Sequence, residues 1–318
     1  MLTLPPKVGR LLADLVDLQI LRGLKGQTGM PAPLNAREAL GATVCTALPA
    51  SADAWRSVLR PIGLIPHITG SFSFGAPLAE YREGSAVRRC PIGDLMLVVD
   101  DLTGCAPDRR AVLLRSRLAP ADESRLDTAQ ARLYAQWPPF RFVGDAFASR
   151  ERDFKRSADC SAASAGCLAE VDLSFARLGW RVSDPMGGDG ASVCGGIGAL
   201  VAEMAQGLRG RRADPRGQDD WSVTIEELLR RTAAATVDGL GRQNKQRSVV
   251  VYRGACGSGL VTVDDPANLR IDRLLSSDPA DQQSCAEAPI STVHLVFEAN
   301  TAARTAASAV WAPMVGRA

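Results

Sequence analysis

Residues 95–99, Leu-Met-Leu-Val-Val, form the longest strongly apolar run of the chain. A helix needs about 20 apolar residues to cross a bilayer, so this run predicts no membrane span. Gly93 precedes it and a loop rich in Asp, Gly and Pro follows it, which predicts a short strand buried on both faces. The N-terminus lacks the basic and apolar segments of a secretory signal. We therefore expect a globular protein with a cytoplasmic location.

The apolar spacing of the remaining chain alternates between the helical and the strand period. It predicts helices at residues 6–22, 35–48, 52–60, 126–137, 195–208 and 221–237, and strands at residues 65–74, 93–99, 111–118, 141–143, 168–175, 180–183, 249–252 and 293–297. Asn35 and Glu38 spell a capping box at the start of the second helix. The expected class is α/β.

The expected organisation has three parts. Residues 1–34 form an N-terminal helix and loop, residues 35–150 a core, and residues 151–318 a C-terminal α/β extension. The alternative is one extended α/β unit without a boundary near residue 150.

The cysteine, histidine and arginine content narrows the kinds of site that the chain can build. Its eight cysteines include no Cys-x-x-Cys pair and it has two histidines, which argues against a structural zinc. Of its 37 basic residues four are lysines and the rest are arginines, within a net charge of +2. Guanidinium groups bind phosphate bidentately, which would suit an anionic partner, but skewed codon usage is the favoured explanation of this bias.

Two short motifs lie within residues 35–145, where the predicted order is helix, strand, strand, strand, helix, strand. Ile-Gly-Asp-Leu places Asp94 at the start of a strand, and Gln-Ala-Arg-Leu-Tyr places Gln130 and Tyr134 one turn apart on a helix. In order and motifs this third of the chain resembles the PD-(D/E)XK nucleases, especially their RecB-like branch. The resemblance implies a restriction-endonuclease-like mixed sheet flanked by helices. It also implies Asp94 as a catalytic carboxylate and metal ligand, supported by Gln130 and Tyr134.

The chemistry of that family depends on Mg²⁺, which carboxylates hold while it polarises a phosphodiester and activates water. The family's triplet of an acid or glutamine, any residue and lysine reads Arg115-Ser116-Arg117 here. Alternate residues of a strand share a face, so two guanidiniums stand where a metal ligand and a lysine belong. We therefore expect Mg²⁺ binding to be weak or absent, with Glu38 as the candidate second carboxylate. Arg115 and Arg117 become candidates for binding nucleic acid.

Each of these residues also has a purely structural interpretation. Asp94 can stabilise a turn before its strand, and Glu38 can serve only the helix cap. Gln130 and Tyr134 can form the edge of a half-buried helix. The two arginines can be solvated residues on an edge strand, where charge discourages aggregation.

Three functional hypotheses follow. In the first, the chain is a catalytically impaired PD-(D/E)XK-like protein that binds DNA or a protein partner, and the resemblance suggests a setting in bacterial DNA defence against phage. In the second, it is an active Mg²⁺-dependent DNA nuclease that uses Asp94. In the third, it is a structural or assembly protein with no nucleic-acid role. The oligomeric state is not predicted.

Glycine-rich segments offer weaker candidates. Residues 187–190 and 195–198 precede a predicted helix whose N-terminus could hold a phosphate, although no P-loop lysine follows and a flexible loop is the favoured interpretation. Residues 254–259 contain a serine and a cysteine outside the context of a nucleophile elbow. His294 alternates with apolar residues and is interpreted as a strand residue.

Overall fold

The computed structural model describes residues 2, 4–26, 32–73, 75–119, 128–144, 147–156, 165–174, 178–184, 195–239, 258–261 and 289–300. Its α-helices are α1 (Pro6–Leu24), α2 (Ala36–Ala42), α3 (Leu48–Leu59), α4 (Thr128–Gln136), α5 (Ile197–Ala205) and α6 (Asp220–Gly239). None of these described helices is long and apolar enough to cross a bilayer. The predicted strand at residues 249–252 and the glycines at 187–190 lie outside the described residues.

The strands form two sheets. They are β1 (Leu64–Ser73), β2 (Leu78–Glu83), β3 (Ala86–Pro91), β4 (Leu95–Asp101), β5 (Asp108–Ala119), β6 (Phe140–Phe142), β7 (Gly166–Asp172), β8 (Gly179–Ser183), β9 (Arg211–Arg212), β10 (Ser258–Val261) and β11 (Ser291–Ala299). The main sheet has the order β10-β1-β11-β4-β5-β7-β8, with β9 beside β5. The small sheet has the order β3-β2-β6. The chain is thus α/β, as the sequence predicts.

The main sheet is mixed and largely antiparallel. The pairs β11 with β4 and β5 with β7 run parallel, whereas the other pairs run antiparallel. Between β4 and β5, Leu95 pairs with Leu114 and Asp100 with Arg109. This register brings the start of β4 beside the middle of β5, where the candidate site lies.

The apolar run of residues 95–99 is buried on both faces of the sheet, which confirms its interpretation. Leu95, Leu97 and Val99 join a core with α1, α3 and α5 on one side. Met96 and Val98 join a second core on the other side, beneath α4, α6 and the small sheet. Burial of both faces removes a large apolar area from water and places β4 at the centre of the molecule.

Residues 36–59 form one continuous helical segment rather than the two separate helices that the sequence predicts. A π-helical turn, Thr43–Ala47, joins α2 to α3 without a break. Pro49 has no backbone N–H to offer to the carbonyl one turn earlier, and the wider turn occurs just before it. The Val44 carbonyl packs against β1 so closely that a Cβ added at Gly70 would lie 2.2 Å from its oxygen.

Strands from beyond residue 150 enter the same sheet as the predicted core. β11 lies between β1 and β4, and β7 and β8 extend the sheet past β5. The predicted strand at residues 141–143 exists as β6 but pairs with β2 in the small sheet. The strand that lies parallel beside β5 after α4 is therefore β7.

The glycines before α5 serve close packing between helices. The Asp17 carboxylate of α1 accepts a hydrogen bond from the Gly198 N–H at 2.9 Å, so a protein carboxylate already lies at this helix N-terminus. A Cβ added at Gly198 would lie 2.3 Å from the Ala13 carbonyl oxygen. Burial raises the pKa of Asp17, against the lowering effect of the Gly198 hydrogen bond.

Candidate anion-binding site

Asp94 lies directly before β4 and faces β5. Its N–H donates to the Leu114 carbonyl at 2.8 Å. One carboxylate oxygen accepts from the Arg115 guanidinium at 2.6 Å, and the other accepts from the Ser116 N–H at 2.7 Å and hydroxyl at 2.9 Å. Three donors thus hold this carboxylate, and one of them is a cation on the neighbouring strand.

A cavity of about 220 Å³ opens beside this ion pair. Its lining comes from α2, from the end of β1 and the residues after it, from the end of β3, from Asp94 before β4 and from the middle of β5: Arg37, Leu40, Ser73, Gly75, Ala76, Pro91, Asp94, Arg115 and Ser116. Two arginines and one aspartate are among these residues. The Asp94 carboxylate is paired with Arg115, so a cavity with a second arginine in its lining suits an anion.

Gln130 and Tyr134 lie behind the cavity and outside its lining. Gln130 donates to the Pro91 carbonyl at 2.8 Å, and Tyr134 donates to the Ile92 carbonyl at 2.9 Å. Both side chains are buried, and burial raises the pKa of Tyr134 well above its usual value, with the Asp94 charge adding to the rise. The side chains of the predicted helix motif thus contact the segment before Asp94, and they do so by donating to backbone carbonyls of that segment. The two side chains position that segment.

The contact between Tyr134 and the segment before Asp94 leaves no room for a side chain at Gly93. A Cβ added there would lie 2.8 Å from the Tyr134 hydroxyl and 3.3 Å from the Leu114 carbonyl. The side-chain amide oxygen of Gln130, Oε1, is buried and has no hydrogen-bond partner among the described residues. Helix α4 therefore sets the path by which the chain reaches Asp94.

Glu38 and Arg117 lie outside the cavity lining. The Glu38 carboxylate accepts from the Asn35 side-chain amide and from the Leu34 N–H, each at 2.7 Å, while the Glu38 N–H donates to the Asn35 side chain at 2.9 Å. Arg117 forms a 2.7 Å ion pair with Glu170, its cross-strand neighbour on β7. The structure thus places Glu38 in the predicted capping box and Arg117 in an interstrand pair.

Arg37, Ser73 and Ser116 belong to the site although the sequence did not single them out. Arg37 stands next to the capping box, with no local signal that it faces β5. Ser116 is the middle residue of the triplet, and strand alternation predicts that it points away from Asp94. Its backbone N–H and hydroxyl reach Asp94 all the same.

The site does not fit the Mg²⁺ that the family resemblance implies. Asp94 supplies the only carboxylate among the described residues that line it, and Arg115 neutralises that carboxylate and would repel a cation. Within the part of the chain that the structure describes, no three histidine, cysteine or acidic residues group as metal ligands. We therefore derive no chemical step through a metal.

A second polar cluster lies at the other end of β4. Arg109 binds both oxygens of the Asp100 carboxylate, at 2.6 and 2.8 Å, and donates to Glu226 of α6 at 2.8 Å. His294 of β11, confirmed as a strand residue, approaches Asp100 at 2.9 Å. Burial raises the pKa of Asp100, but the hydrogen bonds from Arg109 and His294 outweigh it and lower the pKa to about 2. The cluster joins β4, β5, β11 and α6.

Comparisons of the chain with protein-family models, with curated proteins and with solved structures find no match. Its function is therefore inferred from the chemistry of its own residues.

Proposed function

We propose that this chain is a PD-(D/E)XK-like protein that binds phosphate groups of DNA and has lost metal-dependent hydrolysis. The observation that carries the proposal is the ion pair between Asp94 and Arg115 in a cavity that a second arginine, Arg37, also lines. In the family pattern both positions on the two strands face a shared metal. Here the second position supplies a cation that neutralises the first.

The unused donors of Arg115 support phosphate binding. One amino group of the guanidinium donates to Asp94, and its other nitrogens form no hydrogen bond with the described residues. Arg115 keeps 34% of its side chain exposed, so those donors are accessible from the cavity. A guanidinium held in place by a carboxylate loses little conformational freedom when it binds an anion.

The charge of the site argues against hydrolysis. A metal-assisted reaction needs carboxylates that bind the ion and a general base or activated water beside the phosphate. Asp94 is fully hydrogen-bonded, and arginine stays protonated at neutral pH. The predicted outcome is a phosphate that binds and is not cleaved.

The binding step is tested with the full chain and a fluorescent DNA duplex, with anisotropy read over a range of salt concentrations. Arg115→Ala should weaken binding by about 10-fold, the worth of one hydrogen bond to a charged group. Arg37→Ala should act in the same direction. Each variant should also make the plot of log affinity against log salt shallower by about 0.9, the value for one lost phosphate contact.

Arg56→Ala is the matched control. Arg56 pairs with Asp53 on α3, outside the cavity, and keeps 31% of its side chain exposed, so it matches Arg115 in charge, in having an acidic partner and in exposure. It should bind DNA like the wild type. Equal losses in Arg56→Ala and Arg115→Ala would show that only total charge matters, and the cavity would lose its role.

The hydrolysis step is tested by incubating the wild type with plasmid or single-stranded DNA and Mg²⁺ or Mn²⁺. We expect no cleavage above that of Asp94→Ala. Cleavage that Asp94→Ala abolishes would make the chain an active nuclease and overturn the proposal. Absence of DNA binding by the wild type would favour the structural or assembly role instead.

A further inference from the structure

The outer face of the small sheet carries three arginines around one glutamate. Arg89 of β3 and Arg141 of β6 both pair directly with Glu80 of β2, and Arg82 lies two residues further along β2 on the same face. The other face of this sheet is buried in the second core. We call Arg82, Arg89 and Arg141, with Glu80 between them, the arginine face.

Glu80 holds two of these guanidiniums in place. Arg89 donates to it at 2.7 Å and Arg141 at 2.8 Å, while the carboxylate itself is only 8% exposed. Hydrogen bonds from Arg89 and then from Arg141 lower the pKa of Glu80, so it is ionised at neutral pH. Both arginine side chains are 63% exposed and keep unused donors directed to solvent. One carboxylate thus orients two exposed cations on separate strands.

Arg82 adds a third, unpaired cation. It is exposed and forms no hydrogen bond or ion pair with the described residues. With three arginines and one glutamate the arginine face has a net charge of +2. Repulsion among cations favours binding of a polyanion over leaving the face bare.

The arginine face and the cavity share strand β3. Pro91 lines the cavity and is also the last residue of β3, paired with Leu78 of β2. Arg89 lies two residues before Pro91 on the same face, about 7 Å along the strand, and Arg82 lies about 13 Å from Leu78. Arg89 and Arg82 thus lie at increasing distances from the cavity end of the β2–β3 hairpin.

The chemistry of the face favours contact with a backbone rather than with bases. The large apolar side chains that are exposed among the described residues are all aliphatic, and Val87 is the one on this face. Single-stranded nucleic acids bind largely by stacking bases on aromatic rings, which this face does not offer. Duplex phosphates need only positioned guanidiniums.

We infer that the arginine face binds the phosphate backbone of double-stranded nucleic acid and leads it to the Arg37–Arg115 cavity. This inference rests on the proposed function, since the cavity supplies one end of the track. To the proposed function it adds that the nucleic acid is double-stranded and that its backbone lies along the arginine face. Binding should be independent of base sequence and steeply dependent on salt.

The test uses the full chain, a labelled duplex of about 20 base pairs and the double variant Arg82→Ala/Arg141→Ala. Arg89 remains to pair with Glu80, so the fold keeps its ion pair. Losing two phosphate contacts should make the log–log salt slope shallower by about 1.8. A fourfold rise in salt would then weaken the variant's binding about 12-fold less than that of the wild type.

Arg88→Ala is the matched control, since Arg88 lies on the same strand with its side chain on the opposite face and pairs with Glu83 at 2.9 Å. It should behave like the wild type. If the double variant binds duplex as Arg88→Ala does, the arginine face has no role in binding, even if Arg115→Ala still weakens binding. If only the double variant loses affinity and Arg115→Ala binds like the wild type, the arginine face binds duplex and the cavity has no role.

Three further outcomes decide the ligand class. Two duplexes of unrelated sequence should bind equally well. Tighter binding of single-stranded DNA than of duplex would overturn the inference, and so would binding of poly-glutamate as tight as that of duplex. A wild type that binds none of these probes would overturn both the inference and the proposed function.

Discussion

Replacing Asp100 by asparagine tests the ion-pair cluster at the end of β4. The pKa of Asp100 is lowered to about 2, against an unperturbed value of 3.8, because Arg109 and His294 favour its charged form more than burial disfavours it. At 1.36 kcal/mol per unit, this difference corresponds to roughly 2 kcal/mol of stability at pH 7. Asp100→Asn keeps the shape of the side chain and loses its charge. The variant should therefore be less stable by about that amount.

The direction of the Asp100 pKa shift determines how the stability difference between the two proteins changes with pH. A carboxyl whose pKa is lower in the folded protein stabilises it above the unfolded pKa, and that contribution disappears as pH falls through the folded pKa. The gap in unfolding free energy between wild type and Asp100→Asn should thus be full at pH 6–7, shrink below about pH 4 and vanish near pH 2. Urea unfolding of both proteins, followed by circular dichroism at several pH values, measures it.

Asp53→Asn serves as the control, because Asp53 pairs with Arg56 on the surface and keeps 79% of its side chain exposed. Its effect should stay within about 0.5 kcal/mol at every pH. A gap for Asp100→Asn that stays constant from pH 7 to pH 3, or one no larger than that of Asp53→Asn, would refute the reasoning about the cluster.

Three further predictions concern packing and burial. Tyr134→Phe leaves the Ile92 carbonyl without its hydrogen bond, so the variant should have an unfolding free energy lower by about 1–3 kcal/mol. Its affinity for duplex should stay unchanged. Unaltered stability would contradict the positioning role of Tyr134. Gly198→Ala should lower the unfolding free energy by about 1–3 kcal/mol in urea unfolding because the Ala13 carbonyl lies in the way, whereas Gly104→Ala, whose added Cβ would make only an ordinary van der Waals contact of 3.6 Å with the Ala106 carbonyl oxygen, should not. An alkylating reagent followed by peptide mass spectrometry should modify exposed Cys105 in the native protein and spare Cys45, whose pKa burial raises to about 12; equal rates would refute this.

The elements nearest the site are those that the sequence predicts best. The apolar run of β4 has no plausible place except a buried strand, and the Asn35–Glu38 capping box forms hydrogen bonds of the predicted kind. Both signals are local, because they depend on residues within a few positions of one another. Local signals also place Asp94 and Arg115 on adjacent strands, as the register of β4 and β5 requires.

The β2–β3 hairpin was missed although its signal is present in the sequence. Gly84 and Ser85 form a two-residue turn between two alternating segments, and Gly84 takes a positive φ of 58°. Such a pair between strands is a recognised hairpin signal. Arg82 and Arg89 could therefore have been placed on one hairpin from the sequence, whereas the pairing of Arg141 with Glu80 and the position of the cavity could not.

The features that the sequence does not predict depend on contacts between residues far apart along the chain. β11 lies about 190 positions after β4 along the chain and still pairs with it in parallel, and no local pattern specifies that partner. The role of Arg37 depends on a helix and a strand that meet only in the folded chain. Gln130 and Tyr134 lie behind the segment before Asp94, and only the structure shows that they bond the backbone carbonyls of that segment.

The most direct test of the account is Mn²⁺ binding measured by electron paramagnetic resonance. The central claim is that Arg115 stands where a metal ligand would, so Arg115→Glu would place two carboxylates side by side across β4 and β5, a suitable site for a hard cation. We predict that Arg115→Glu binds Mn²⁺ and that the wild type does not. Mn²⁺ binding by the wild type that Asp94→Ala abolishes would contradict the account.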